Sequence, residues 1–139
     1  MSGHDGTEPV TRDELLYRRI PASKGWYDDR NGVSPEAFDP RDNETGGISL
    51  FRKKYKTIQE AAKGPSKRGY YVAVLRAGDL IKAGIQIVPR PDPPNVPGHV
   101  ELPGLNRNNR LTQEGLERKV SLAKKLCAWV EGPFPPSTA

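Results

Sequence analysis

Apolar residues along this chain fall into short groups set apart by turn formers, and only the last quarter shows a sustained helical period. The first group, LLYRRI (15–20), alternates well enough for a strand. Thr11 and Glu14 ahead of it have capping-box spacing, so residues 11 to 20 read as a brief turn feeding a strand. ISLFR (48–52) follows Gly46 and Gly47 and places Ile48 and Leu50 on one face, Ser49 and Phe51 on the other. YYVAVLRA (70–77) carries aromatic and β-branched residues on both faces, which predicts a central strand buried on both sides. IQIV (85–88) and HVEL (99–102) predict two further strands.

Helical signals sit between these groups. Ser34 followed by Pro35 has the form of a cap and first helical residue for one turn over 35 to 38. Thr57 with Glu60 forms a second capping box, and Asp79 can cap LIKA before Gly84 ends it. From Thr112 onward, Leu116, Val120, Ala123, Cys127 and Val130 recur at spacings of four and three. Leu122, Leu126 and Trp129 broaden that stripe. The period predicts an amphipathic helix from 112 to 130 with Cys127 in the core and Glu117, Arg118, Lys124 and Lys125 on a solvated face. The sum is an α+β fold: a small mixed or antiparallel sheet of about four to six short strands covered by a long C-terminal helix.

Length is consistent with one core: 139 residues predict a single domain over 11–131, with 1–10 as a flexible arm and 132–139 as a loose tail. One cysteine cannot form an internal disulfide, and no apolar run approaches a membrane span, so a cytoplasmic protein with no membrane contact is expected. No phosphate-cradling glycine loop, nucleophile elbow or paired-cysteine zinc spacing occurs, so neither a metal nor a cofactor is expected.

Charge is unevenly distributed. Residues 51 to 69 hold seven basic residues against Glu60 alone, whereas residues 1 to 50 are net acidic by four. If that run is compact, Lys53, Lys54, Lys56, Lys67 and Arg68 form an anion-binding patch for an acidic protein or a nucleic acid. Arg18 and Arg19 are adjacent on a strand, so only one can face inward. That one must meet a carboxylate, with Asp13, Glu14, Asp28 and Asp29 as the nearby choices, or an anionic ligand. His99 is the only histidine outside the N-terminal arm, and Glu101 two residues on shares its face in a regular strand. The two pair as base and orienter, or as hydrogen-bonding ligand groups. Ser49 lines a pocket beside Phe51.

The motifs LLYRRI, VSPEAF, ISL, LRAGDLIKAGIQIVPRP, PGHVEL and AKKLCAWV, in this order, resemble the pattern of a group of small uncharacterised bacterial proteins, which implies a bacterial intracellular origin. A looser similarity links the chain to ADP-ribosyltransferase-like folds, which place an arginine on a first strand, a serine on a second and a glutamate near a later one. Arg18 or Arg19, Ser49 and Glu101 stand in that order, without a second acidic residue at the Glu-x-Glu spacing. The leading functional expectation is a non-enzymatic accessory or binding module acting through residues 52–68. The alternative is a small enzyme that binds a dinucleotide through Arg19, Ser49, His99 and Glu101, with Ser49, His99 and Glu101 as its catalytic residues.

Overall fold

The computed structural model describes residues 6–91 and 96–136. In chain order its strands are β1 (Leu15–Pro21), β2 (Tyr27–Asp28), β3 (Gly32–Val33), β4 (Ile48–Arg52), β5 (Tyr70–Arg76), β6 (Val88–Pro89), β7 (His99–Leu102) and β8 (Cys127–Phe134). The α-helices are α1 (Ile58–Ala61), α2 (Ala77–Lys82) and α3 (Gln113–Ser121). Six strands make one sheet in the order β6-β7-β4-β1-β5-β8, every neighbouring pair antiparallel, while β2 and β3 form a separate ribbon. The fold is α+β, and its sheet is antiparallel.

Strand alternation sorts the side chains onto two faces. Leu16 and Ile20 of β1, Ile48 and Leu50 of β4, Ala73 and Leu75 of β5, and Val100 and Leu102 of β7 form the larger core with Phe38, Leu80, Leu105 and Leu122. Tyr17, Tyr70, Val72 and Val74 face the other way, against Ala61 and Ala62 at α1. β5 is thus buried on both sides, as its composition requires. Two of the expected caps are present: Thr57 and Glu60 close the capping box of α1, and Ser34 accepts from the Glu36 N–H at the head of a 3-10 turn over Pro35–Phe38. Asp79 does not cap: α2 begins at Ala77, two residues earlier, and Asp79 lies within its first turn. Among the described residues no helix is long and apolar enough to cross a membrane. No group of three or more His, Cys, Asp or Glu among them is placed to hold a metal ion.

The C-terminal region departs from expectation. Thr112 does cap a helix, accepting from the Gly115 N–H at 3.1 Å, but α3 runs only to Ser121 and continues as a π-helical stretch over Leu122–Leu126. The chain then becomes β8, placing Cys127 opposite Leu75, Trp129 opposite Val74 and Val130 opposite Ala73. Two demands explain the switch. Without a partner, the apolar strand β5 would present a row of open backbone donors and acceptors at the sheet edge. CAWV, rich in β-formers, suits that edge, so tertiary pairing overrides the helical period.

The helix is also rotated relative to the predicted stripe. Leu116 and Val120 are 47% and 46% exposed, whereas Gly115, Lys119, Leu122 and Ala123 face inward. Gly115 has a steric reason to be glycine, because a Cβ there would collide with the Asn109 carbonyl. Lys119 is buried because its Nζ meets Asp39 Oδ1 at 2.9 Å, and Arg110 contacts the same carboxylate at 3.1 Å. Cys127 is a half-buried strand residue instead of a helix-core one, and burial pushes its thiol up to about 11.

Candidate functional site

The site lies where the sheet comes apart. β1 and β4 pair through Leu16 with Arg52 and Tyr17 with Phe51; two more steps in that register would set Arg19 opposite Ser49. There the ladder is replaced by side chains. The Ser49 N–H donates to Glu44 Oε2 at 2.8 Å, and the Ser49 carbonyl accepts from Arg18 Nη1 at 3.1 Å. Arg18 and Glu44 are themselves paired at 2.6 and 3.2 Å, and both are buried. Arg18 also donates to the carbonyls of Ala37 and Asp39 at 3.1 and 3.3 Å, which leaves its guanidinium fully engaged. Burial alone would raise the Glu44 carboxyl. The Arg18 guanidinium and the backbone N–H groups of Arg41 and Ser49 outweigh it and hold the group below its ordinary value.

Arg18 is therefore the inward arginine of the pair, and its partner is Glu44; none of Asp13, Glu14, Asp28 and Asp29 serves it. Glu14 serves Arg52 instead, at 2.7 and 2.8 Å. Arg52 further donates to the carbonyls of Gly6, Glu8 and Pro9 at 3.4, 2.9 and 3.3 Å, so these residues of the expected arm lie against it. Residues 1–5 and 137–139 of the two expected loose ends fall outside the described residues.

A cavity of about 490 Å³ opens on the β1–β4–β7 face beside this split. Arg19, Ser49, Phe51, His99 and Glu101 line it from the three strands, and Arg18, Arg41, Glu44, Lys56 and Val96 complete much of the wall. Strand register brings them together, with Ser49 opposite Glu101 and Phe51 opposite His99 across the β4–β7 ladder. The turn leading into His99 depends on Gly98, which has φ +94° and would place a Cβ 2.5 Å from Tyr55 Cβ.

His99 makes two hydrogen bonds that fix its tautomer. Nδ1 lies 2.8 Å from the Arg90 carbonyl, which can only accept, so Nδ1 carries the proton. In the neutral ring Nε2 is then an acceptor, and the Ser49 hydroxyl, 2.9 Å away, donates to it. Glu101 is drawn toward Arg90 Nε at 3.3 Å and makes no hydrogen bond to His99. The expected base-and-orienter pair is therefore replaced by a serine–histidine pair oriented by a backbone carbonyl.

Three cations on the cavity wall lack a carboxylate within ion-pair distance among the described residues. Arg19 donates to the Lys63 carbonyl and stacks over Tyr70, 4.8 Å from the ring centroid. Arg41 donates to the Arg19 carbonyl at 3.2 Å, and Lys56 lies 4.9 Å from the centroid of Phe51. Burial first, and the adjacent Arg18 charge second, push Arg41 down to about 10. A cation so disfavoured is one that an incoming anion would relieve.

The remaining expected anion-binding residues are dispersed. Lys54 is tied to Glu8 at 2.9 Å, Lys53 lines a separate depression with Thr11 and Asp13, and Lys67 and Arg68 are exposed on the turn before β5. Arg41 and Glu44 were not singled out from the sequence, being two charges among several in a turn-rich stretch. The signal for Glu44 was indirect: a buried arginine on β1 demanded a carboxylate, but the pairing crosses 26 positions of sequence. Trp26 and Tyr27 pack on the larger core.

No protein-family model matches this chain, and neither does any curated protein or solved structure.

Proposed function

We propose that the cavity between β1, β4 and β7 binds a small molecule carrying phosphate groups, of the dinucleotide class, as a small enzyme of ADP-ribosyltransferase-like type would. The carrying observation is that Arg19, Arg41 and Lys56 converge on one 490 Å³ space without carboxylate partners among the described residues. Buried or half-buried cations are costly unless paired, and charge-assisted hydrogen bonds to phosphate oxygens would relieve that cost. Phe51 on the same wall offers a ring for stacking, and the Ser49 hydroxyl and the Glu101 carboxylate add polar groups that fix orientation.

The alternative of a non-enzymatic module acting through residues 52–68 draws on the exposure of Lys53, Lys67 and Arg68. It has less support, because Arg52 and Lys54 are already committed to Glu8 and Glu14.

Calorimetric titration with NAD, ADP and inorganic pyrophosphate tests the proposal. A ligand that binds only the native state raises its stability, by about 2.7 kcal/mol at one hundred times Kd. A saturable shift with NAD that is lost in Arg41→Ala and Lys56→Ala is the expected result. No shift with any of the three at millimolar concentration rejects the phosphate reading. A shift retained in both variants relocates the site to another part of the surface.

A further inference from the structure

We infer that Ser49 is a nucleophile activated by His99, and that the cavity turns over carboxylic esters that bear a negatively charged group. The inference rests on the anion-binding reading for its choice of substrate, and on separate geometry for its chemistry. That geometry is the 2.9 Å contact from Ser49 Oγ to His99 Nε2 and the 2.8 Å contact from His99 Nδ1 to the Arg90 carbonyl. A nucleophile within reach of a base, with the base oriented by a third group, is the arrangement that acyl transfer needs. A backbone carbonyl stands where an aspartate often does; it holds the tautomer that leaves Nε2 free to accept a proton.

The surroundings suit the step. Ser49 sits on a strand whose backbone is locked on one side by the Arg18–Glu44 pair and on the other by the β7 ladder, so its hydroxyl is presented at a fixed place. Glu101 is across the ladder but is held by Arg90, so no carboxylate competes for the imidazole. The cations on the wall give a positive field for the charge that develops on the attacked carbonyl oxygen.

The chemistry balances without a further reactant. Ser49 Oγ forms a bond to the ester carbonyl carbon while its proton passes to Nε2. The carbon–oxygen bond to the leaving alcohol then breaks, and the proton on Nε2 goes to that alcohol. Water repeats the sequence on the acyl-serine, releasing a carboxylic acid and restoring the hydroxyl.

The experiment uses the full chain with two probes: a fluorophosphonate, which labels activated serines, and the p-nitrophenyl monoester of terephthalic acid, whose carboxylate cannot reach its own ester, compared with p-nitrophenyl benzoate. Expected are a single fluorophosphonate adduct on the peptide containing Ser49 and faster p-nitrophenol release from the charged ester. Ser49→Ala should remove both, and His99→Asn should slow release by about 100-fold or more. Wild-type protein that gives no adduct at Ser49, or an adduct on another residue, overturns the inference without reference to any variant. Arg41→Ala and Lys56→Ala separate the two readings. If the adduct forms and these variants leave the charged-to-neutral ester preference unchanged, the nucleophile stands and the anion-binding reading fails. If NAD or pyrophosphate binds but Ser49 stays unlabelled, binding stands and the nucleophile fails.

Discussion

Glu44 reaches Arg18 at 2.6 Å and, through the same oxygen, the Ser49 N–H at 2.8 Å, so one carboxylate both neutralises a buried guanidinium and closes the gap between β1 and β4. Removing one partner of such a pair leaves a buried charge uncompensated, at a cost of about 3–5 kcal/mol. Glu44→Gln and Arg18→Met should each lower the urea midpoint by a margin of that size, and the double variant should recover part of it. A loss below about 1 kcal/mol in both single variants would show that the pair does not bridge the strands in solution.

Arg41 should behave in the opposite way. Its charge is disfavoured in the folded state, which holds it down to about 10, so a neutral residue removes a cost instead of a support. Arg41→Leu is expected to leave the melting temperature equal or higher while abolishing the stabilisation by NAD. A large drop in melting temperature would mean that Arg41 is held for packing.

The face of α3 can be tested with two substitutions. Leu122 is fully buried, and Leu122→Ala should cost about 2–5 kcal/mol through lost burial and a residual cavity. A helix buried along the predicted stripe would make Leu116→Asp as severe, but Leu116 is 47% exposed, and the change should stay within about 1 kcal/mol. Chemical denaturation of both variants decides between the predicted stripe and the observed one.

Acid should weaken the fold through a defined set of carboxylates. A hydrogen bond from the Tyr55 hydroxyl, then Lys54, holds Glu8 down from 4.5 to about 2. Glu14 and Glu44 are also held low: in both, burial pushes upward but loses to their arginine partners. Groups depressed in the native state bind protons more readily when unfolded. Their contribution is therefore complete above pH 4.5 and drains away as pH falls from 4.5 toward 2. Urea midpoints should be flat from pH 7 to 5 and decline below 4.5, and Glu8→Gln should make that decline shallower.

Much of the local structure was legible because it is decided within a few residues. The Thr57–Glu60 box, the Ser34 cap, the two-faced apolar strand β5 and the shared face of His99 and Glu101 all follow from spacing. What could not be read was long-range. Nothing near Arg18 in sequence announces Glu44, and although Ser49 and His99 are expected in one site, nothing near His99 announces that its hydrogen bond goes to Ser49, fifty positions earlier, and not to Glu101. The end of α3 was illegible for a related reason: CAWV fits the helical stripe by period, and only the bare edge of β5 makes it a strand.

That edge has a consequence for how the chain is made. β8 is the last strand in sequence, yet it shields the flank of β5, which precedes it by 58 residues counted end to end, from Arg76 to Phe134. At translation speeds of about 5–20 residues per second, β5 waits roughly 3–12 s for that cover. During that interval Tyr70–Arg76 carries an unpaired hydrogen-bonding edge on a strand rich in aromatic and β-branched residues, in a form open to intermolecular pairing. Released protein truncated after residue 126 should consequently bind chaperones more strongly than the full 139-residue chain.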